Sequence, residues 1–141
     1  FYIEIPGLPD IGSYTFTVIS QDSIGIATDT QSASITIPVP AAKSMTASKG
    51  DRPQTTTPNL SWKAVKTDVP VYYRINIFNQ NKTRIHRTKS VKDMVSYSVP
   101  EGVLKPDQTY FWNIRVSDSD QWAQEQNRSS SRLSQFRTSS D

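Results

Sequence analysis

Short runs in which apolar and polar residues alternate follow one another along most of the chain. The run "SYTFTVIS" places Tyr14, Phe16 and Val18 on one side, and "FYIEI" and "SASITIPV" alternate in the same way. A period of two is typical of strands that bury one face, and Gly, Pro and Asp between the runs mark turns. Region 1–40 is therefore predicted to hold three strands.

Similar runs return after a linker, at intervals of 10 to 15 residues. The predicted strands lie at 58–65, 71–79, 83–89, 94–100, 109–117 and 132–138, with a first edge strand within 43–50. Seven strands in about 100 residues are typical of an immunoglobulin-like sandwich. The predicted fold class is all-β: such a sandwich, preceded by a partial β-sandwich module.

The segment "IPVPAAKSMTASKGDRPQTTTP", which has few large apolar residues, separates the two regions. Charge changes sign there, because residues 1–42 hold four acids and no Lys or Arg, whereas the rest holds all 16 basic residues and nine acids. We therefore expect the C-terminal strands of one module at 1–40, a linker with the first edge strand at 41–57, and the remainder of a second module at 58–141.

One pattern of Leu, Tyr, an aromatic residue, a β-branched residue and Asp occurs twice, 96 residues apart. At that shift Tyr14 aligns with Tyr110 and Phe16 aligns with Trp112. The repeat implies that region 1–40 is the end of a module built like the second one, with Tyr14 in the structural position of Tyr110.

Four motifs, "TPNLSWKAV", "VYYRINIF", "LKPDQTYFWNIRVSDSD" and "LSQFRT", resemble a fibronectin type III module and together span nearly all of 43–141. The resemblance implies that Trp62 packs under the third and sixth strands. It also implies that Tyr110 is the tyrosine-corner residue, whose hydroxyl bonds the backbone near Leu104. The earlier run "GSYTFTVISQDSIGIATDTQSASITI" resembles the end of a bacterial immunoglobulin-like or PKD-type module. Bacterial modules of this kind stand beside catalytic domains in exported proteins, so an extracellular or cell-surface location is expected.

The aromatic run at 110–112 divides between the two faces of its strand. Alternation sends Tyr110 and Trp112 inward, where Trp62 also packs, and sends Phe111 outward. The run is therefore predicted to belong to the core of the fold and not to a platform for a sugar or a base.

The stretch from 74 to 92 holds six Lys or Arg, one His and no acid. Its binding candidates are Arg74, Lys82, Arg84, Arg87 and Lys89. Alternation places Arg84 with His86 on one face of an edge strand and Arg87 on the other. Cations on an edge prevent pairing with other chains; the alternative is that they bind an acidic polysaccharide or a surface protein. Nucleic acid is not predicted, because no aromatic residues interleave with these cations.

The polar loop 117–131 carries three further candidates. Trp122 either stacks on a sugar or caps the end of the sandwich. Asp118 and Asp120 are calcium candidates, but two carboxylates are fewer than the roughly six to eight oxygens that calcium takes, and solvated turn residues are the simpler interpretation. No other metal or cofactor is predicted.

No catalytic residue is predicted. Cys is absent, His86 is the one His and has no acid near it in sequence, and neither a nucleophile elbow nor a phosphate loop occurs. No apolar run reaches the ~18 residues of a membrane span. The chain opens on "FYIEI" without an initiator Met, so we expect it to be part of a longer protein.

The leading hypothesis is a set of non-catalytic spacer modules in an exported or cell-surface bacterial protein, in contact with neighbouring domains of the same chain. One alternative is a module that binds an acidic glycan or a protein partner through the basic edge. The other is an accessory module of a secreted carbohydrate-active enzyme.

Overall fold

The first two strands form a hairpin. The computed structural model describes residues 12–21, 23–35, 37–67, 69–125 and 127–140, and "FYIEI" lies outside them. Strand β1 (Gly12–Gln21) and strand β2 (Ile26–Ile35) pair antiparallel along their whole length, as a two-stranded sheet. The second strand begins earlier than the predicted run at 32–39, because polar residues such as Thr28 and Thr30 already pair with β1.

The strands that follow build two sheets of a sandwich. The smaller sheet has the antiparallel order β3 (Thr46–Ala47), β4 (Asn59–Ser61) and β8 (Ser96–Ser98). The larger sheet contains β5 (Tyr72–Phe78), β6 (Arg84–Arg87), β7 (Val91–Lys92), β9 (Thr109–Ser117), β10 (Arg128–Ser130) and β11 (Ser134–Arg137).

Two long strands organise the larger sheet. Strands β5 and β9 pair antiparallel side by side. The short strands β6 and β7 pair with successive parts of the free side of β5, and β10 and β11 do the same along β9. The predicted all-β, immunoglobulin-like sandwich is therefore confirmed. Each predicted run after residue 43 contains a strand, while β7 and β10 are additional.

Alternation in the two long strands produces the core. Burial in β9 switches on and off with period two, so that Trp112 and Ile114 face inward and are almost fully buried. Trp62, which directly follows β4, lies with its ring centroid 5.9 Å from that of Tyr73 and 6.3 Å from that of Trp112. Ile37, which the sequence groups with the first region, is 2% exposed and joins this core.

The end of the sandwich near Tyr110 is held by buried polar groups. The Tyr110 hydroxyl accepts a hydrogen bond from the Lys105 backbone N–H at 2.9 Å, next to Leu104, as the tyrosine corner requires. Gln54 is completely buried, and its backbone bonds Arg137 and Ser139, each at 2.7 Å. These contacts tie the last described residues to the start of the domain.

Candidate functional site

A bulge in the larger sheet changes which side of it the basic residues occupy. Between Ile77 and Phe78 the register shifts, so that Arg87 lies opposite Asn76 while Arg84 lies opposite Phe78. Paired residues share a face, so both arginines lie on the outer face of the sheet. The expectation that alternation separates Arg84 from Arg87 is wrong, because the bulge inserts one extra residue between them.

His86 points the other way. It pairs with the buried Ile77, and its Nε2 lies 2.8 Å from the Tyr97 hydroxyl of the smaller sheet. The two rings are stacked, with centroids 5.9 Å apart. The one His therefore joins the two sheets at their open edge.

Arg74 is not on the exposed rim where the basic stretch suggested a binding edge. It lies on the central strand β5, opposite Arg115 of β9, and is only 8% exposed. Its Nε is buried without a hydrogen-bond partner, and none of the ion pairs found among the described residues includes Arg74. This is costly, because a buried charge is normally paired.

The loop 117–131 brings an acid to this face. A 3-10 turn at Trp122–Gln124 is followed by Glu125, whose side chain is fully buried. The Glu125 carboxylate forms an ion pair with Arg115, and its Oε2 lies 3.9 Å from Nη1 of Arg128. Trp122 belongs to the turn that leads to this contact.

We call the outer face of the larger sheet the arginine face, defined by Arg74, Arg84, Arg87, Arg115 and Arg128. The arginine face contains amide and aromatic groups as well as cations. Asn76 Nδ2 donates to Asn113 Oδ1 at 3.0 Å in the row next to Arg74. Beyond that row Phe78 lies opposite Phe111, and Lys82 Nζ lies 5.8 Å from the centroid of the Phe111 ring.

The arginines influence one another electrostatically. Burial lowers the pKa of the Arg74 guanidinium, and the charge of Arg87 lowers it further, with smaller effects in the same direction from Arg115 and Arg84. Glu125 acts in the opposite direction. Arginine stays charged in proteins. The lowered pKa therefore means that burial and the neighbouring cations destabilise the charged form of Arg74.

The other predicted site residues have varied positions. Lys89 follows β6 and is exposed. Asp118 Oδ2 accepts hydrogen bonds from the Asn127 backbone at 2.9 Å and from its Nδ2 at 3.1 Å, so this carboxylate helps close the loop, while Asp120 is exposed. The described residues hold no cluster of three or more metal-ligating side chains. Tyr14 lies on β1, opposite Ala33, and its side chain is outside the described part.

Sequence reasoning missed Arg115, Glu125 and Arg128. Arg115 occupies an outward position of β9, which alternation marks correctly, but its neighbour across the sheet depends on strand pairing. Glu125 stands in a polar loop that carries no signal of burial. Only the course of this loop over the sheet brings the acid to the arginines.

A groove of about 440 Å³, separate from the arginine face, lies where the segment from Pro38 to Ala41 meets the residues after β4. Lys43, Lys63 and Lys66 line it, and all three are exposed. Exposed lysines are flexible point charges, so this groove is less preorganised for a ligand than the arginine face. In the described ranges, no helix has the length and apolar character that crossing a membrane requires.

The comparison with protein families agrees with this architecture. Residues 52–138 match the model described as Rha78A-like, N-terminal immunoglobulin domain. No curated protein matches the chain. The matched segment contains Trp62, Tyr110, Trp112 and all five residues of the arginine face, and it is a domain of a non-catalytic type. Because the match spans more than half of the sequence, the chain belongs to the family of Rha78A-like N-terminal immunoglobulin domains.

Proposed function

We propose that the chain is a non-catalytic accessory module that holds a neighbouring catalytic domain of a secreted glycan-cleaving enzyme at a fixed distance and angle. The observation that carries this proposal is the family match over residues 52–138, whose description is that of an N-terminal immunoglobulin domain in a rhamnosidase-like protein. The substrate of the catalytic domain would then be a rhamnoside, and the location extracellular.

The way the chain enters and leaves the sandwich supports a spacer role. Ile37 is buried in the core at the entry side, and Pro38 and Pro40 follow it. At the other end Ser139 donates its backbone N–H to Gln54 at 2.7 Å. Because both connections are fixed by burial or hydrogen bonds, a domain attached on either side would keep a defined orientation.

We also propose that the sandwich is of the fibronectin type III kind and that the hairpin of β1 and β2 is the end of a preceding immunoglobulin-like or PKD-type module. The order β3-β4-β8 against β9-β5, together with the Tyr110 corner and Trp62 beneath β5 and β9, supports the first part. The separate sheet formed by the hairpin supports the second.

Two measurements test the accessory role. The isolated chain should release no nitrophenol from p-nitrophenyl rhamnoside, and turnover above the protein-free rate would overturn the proposal.

In the full-length protein, Ile37→Ser should broaden the distribution of interdomain distances measured by small-angle scattering, because it loosens the entry to the sandwich. The control is Val39→Ser, two residues further on and 36% exposed, which should leave the scattering unchanged. Identical profiles for both variants would contradict a fixed spacer.

A further inference from the structure

The arginine face is charged beyond what the fold needs. Five arginines share it, and Glu125 is the one acid that the described residues place among them. Glu125 bonds Arg115 and approaches Arg128, and the described residues place no carboxylate within ion-pair distance of Arg74, at the centre of the sheet, on which Glu125 acts only from further away. A buried cation that is not paired within its own chain is a candidate for pairing with a ligand.

We propose that the arginine face binds a carboxylate-bearing polysaccharide and that Arg74 holds the carboxylate of one sugar residue. A guanidinium presents its N–H donors in a planar fork that matches the two oxygens of a carboxylate. Only 8% of the Arg74 surface is exposed, so the surrounding strands fix its position. Little conformational entropy is therefore lost when it binds a ligand.

The neighbouring row supplies partners for sugar hydroxyls. The Asn76–Asn113 hydrogen bond uses one polar atom of each amide. That bond does not use Asn76 Oδ1 or Asn113 Nδ2. They offer one acceptor and one donor side by side, and a hydroxyl group can use both.

The third row offers an apolar surface. Phe78 and Phe111 face each other across the two long strands, and Phe111 is partly exposed. Residues two apart on a strand are about 7 Å apart, so the three rows extend over roughly 13 Å. The sequence of cation, amide and aromatic along one sheet face thus matches the carboxylate, hydroxyl and carbon faces of a sugar chain.

Binding is tested by titration calorimetry of the chain with three probes at low ionic strength. Oligogalacturonate should bind in a saturable way, its fully methyl-esterified form should not bind, and polyglutamate should bind more weakly than oligogalacturonate. The absence of saturable binding of oligogalacturonate would overturn the proposal. Equal affinity for polyglutamate and oligogalacturonate would overturn the saccharide assignment and would indicate an acidic protein partner.

Arg74→Gln is the direct variant, and Arg52→Gln is its matched control. Arg52 is exposed on a turn before β4, so the two variants remove the same charge from different places. Arg74→Gln should weaken oligogalacturonate binding by about tenfold or more, as expected for one charge-assisted hydrogen-bonded contact, and Arg52→Gln by less than about twofold. Equal losses would mean that net charge alone attracts the probe, and would overturn a site centred on Arg74.

A second pair of variants tests the proposal even if Arg74→Gln fails to fold. Asn113→Asp keeps the oxygen that accepts from Asn76 and adds the carboxylate that we propose the ligand brings. Asn59→Asp does the same on the smaller sheet, where Asn59 Oδ1 accepts from Ser98 Oγ at 3.2 Å. Asn113→Asp should abolish binding and raise the melting temperature, because it supplies an internal partner for the arginines, whereas Asn59→Asp should do neither. Unchanged binding by Asn113→Asp would contradict the proposal.

Discussion

The outer faces of the two sheets are built from different chemistry. On the smaller sheet the outward residues are short and neutral: Thr46 and Ser61 hydroxyls lie 3.0 Å apart, and Ser98 donates to Asn59. On the larger sheet the outward positions carry the arginine face, including the buried Arg74, which forms no ion pair with the described residues. Polar side chains of the first face bond one another, while the second face includes a buried Arg74 Nε that has no hydrogen-bond partner in the described part of the chain.

This difference indicates where selection for function acts. Both inner faces are apolar and contribute to one core, so stability alone would be served by two neutral outer faces. Polar groups left unsatisfied in a buried position lower stability, and natural proteins retain such features mainly at functional sites. The comparison therefore favours the larger sheet as the side that meets a ligand.

The largest effect is expected from removing the acid of the arginine face. Glu125→Gln should lower the free energy of unfolding by about 3 kcal/mol, because it leaves several buried or half-buried cations without compensation. The matched control is Asp107→Asn, because Asp107 pairs with Arg137, whose side chain is 61% exposed. This variant should lower the free energy of unfolding by less than about 1 kcal/mol. Urea denaturation measures both. Similar losses for the two variants would show that Glu125 is not the electrostatic centre of this face.

Replacing Arg74 should have the opposite effect on the free energy of unfolding. Arg74→Met is expected to raise the free energy of unfolding by about 1 kcal/mol, since an apolar side chain of similar length removes both the desolvation cost and the repulsion from Arg87 and Arg115. Arg52→Met, at an exposed position, should change it by less than about 0.5 kcal/mol. Thermal denaturation at constant pH compares them, and a destabilised Arg74→Met protein would mean that Arg74 is paired after all.

The inner faces of the two sheets can be compared through one tyrosine each. Burial raises the pKa of Tyr73 on the larger sheet and of Tyr97 on the smaller one. The native state therefore keeps both phenols protonated where the unfolded chain already ionises them, so stability should be intact below pH about 10 and fall as the pH rises further.

Tyr73→Phe should make the stability of the protein fall less steeply as the pH rises above about 10. The variant should also lower the free energy of unfolding by about 1 kcal/mol at neutral pH. The reason is that the Val65 N–H loses its hydrogen bond to the Tyr73 hydroxyl, which is 2.9 Å long. Denaturation curves at pH 8 to 11 measure both effects. A variant whose stability falls with pH as steeply as the unmodified protein would contradict the contribution of Tyr73.

The smallest effect is expected on the neutral face. Thr46→Val removes the hydrogen bond to Ser61 and should change the free energy of unfolding by about 0.5 kcal/mol or less, because both hydroxyls can bond water instead. Oligogalacturonate binding should be unchanged. Loss of binding in Thr46→Val would show that the neutral face contributes to the site, and the distinction between the two faces would then fail.

Much of the fold follows from short-range patterns. Period-two alternation in 109–117 predicts correctly that Trp112 is buried and Phe111 is not. The resemblance of 104–120 to a fibronectin type III module predicts the contact of the Tyr110 hydroxyl with the backbone beside Leu104, and the Lys105 N–H makes that contact. The candidate site was only partly predictable. Arg84 and Arg87 were identified as cations, but the bulge that places them on one face left no mark in the alternation.

The sequence by itself determined which residues of the long strand β9 face inward, because strand periodicity is a local property of the backbone. It also determined that the second region is basic. Only the tertiary structure decided that Arg74 lies opposite Arg115 and that Glu125 is buried beside them, because these contacts depend on which strands pair and on how a long loop folds back. The sequence supplies the charges, and strand pairing brings them together on one face of the larger sheet.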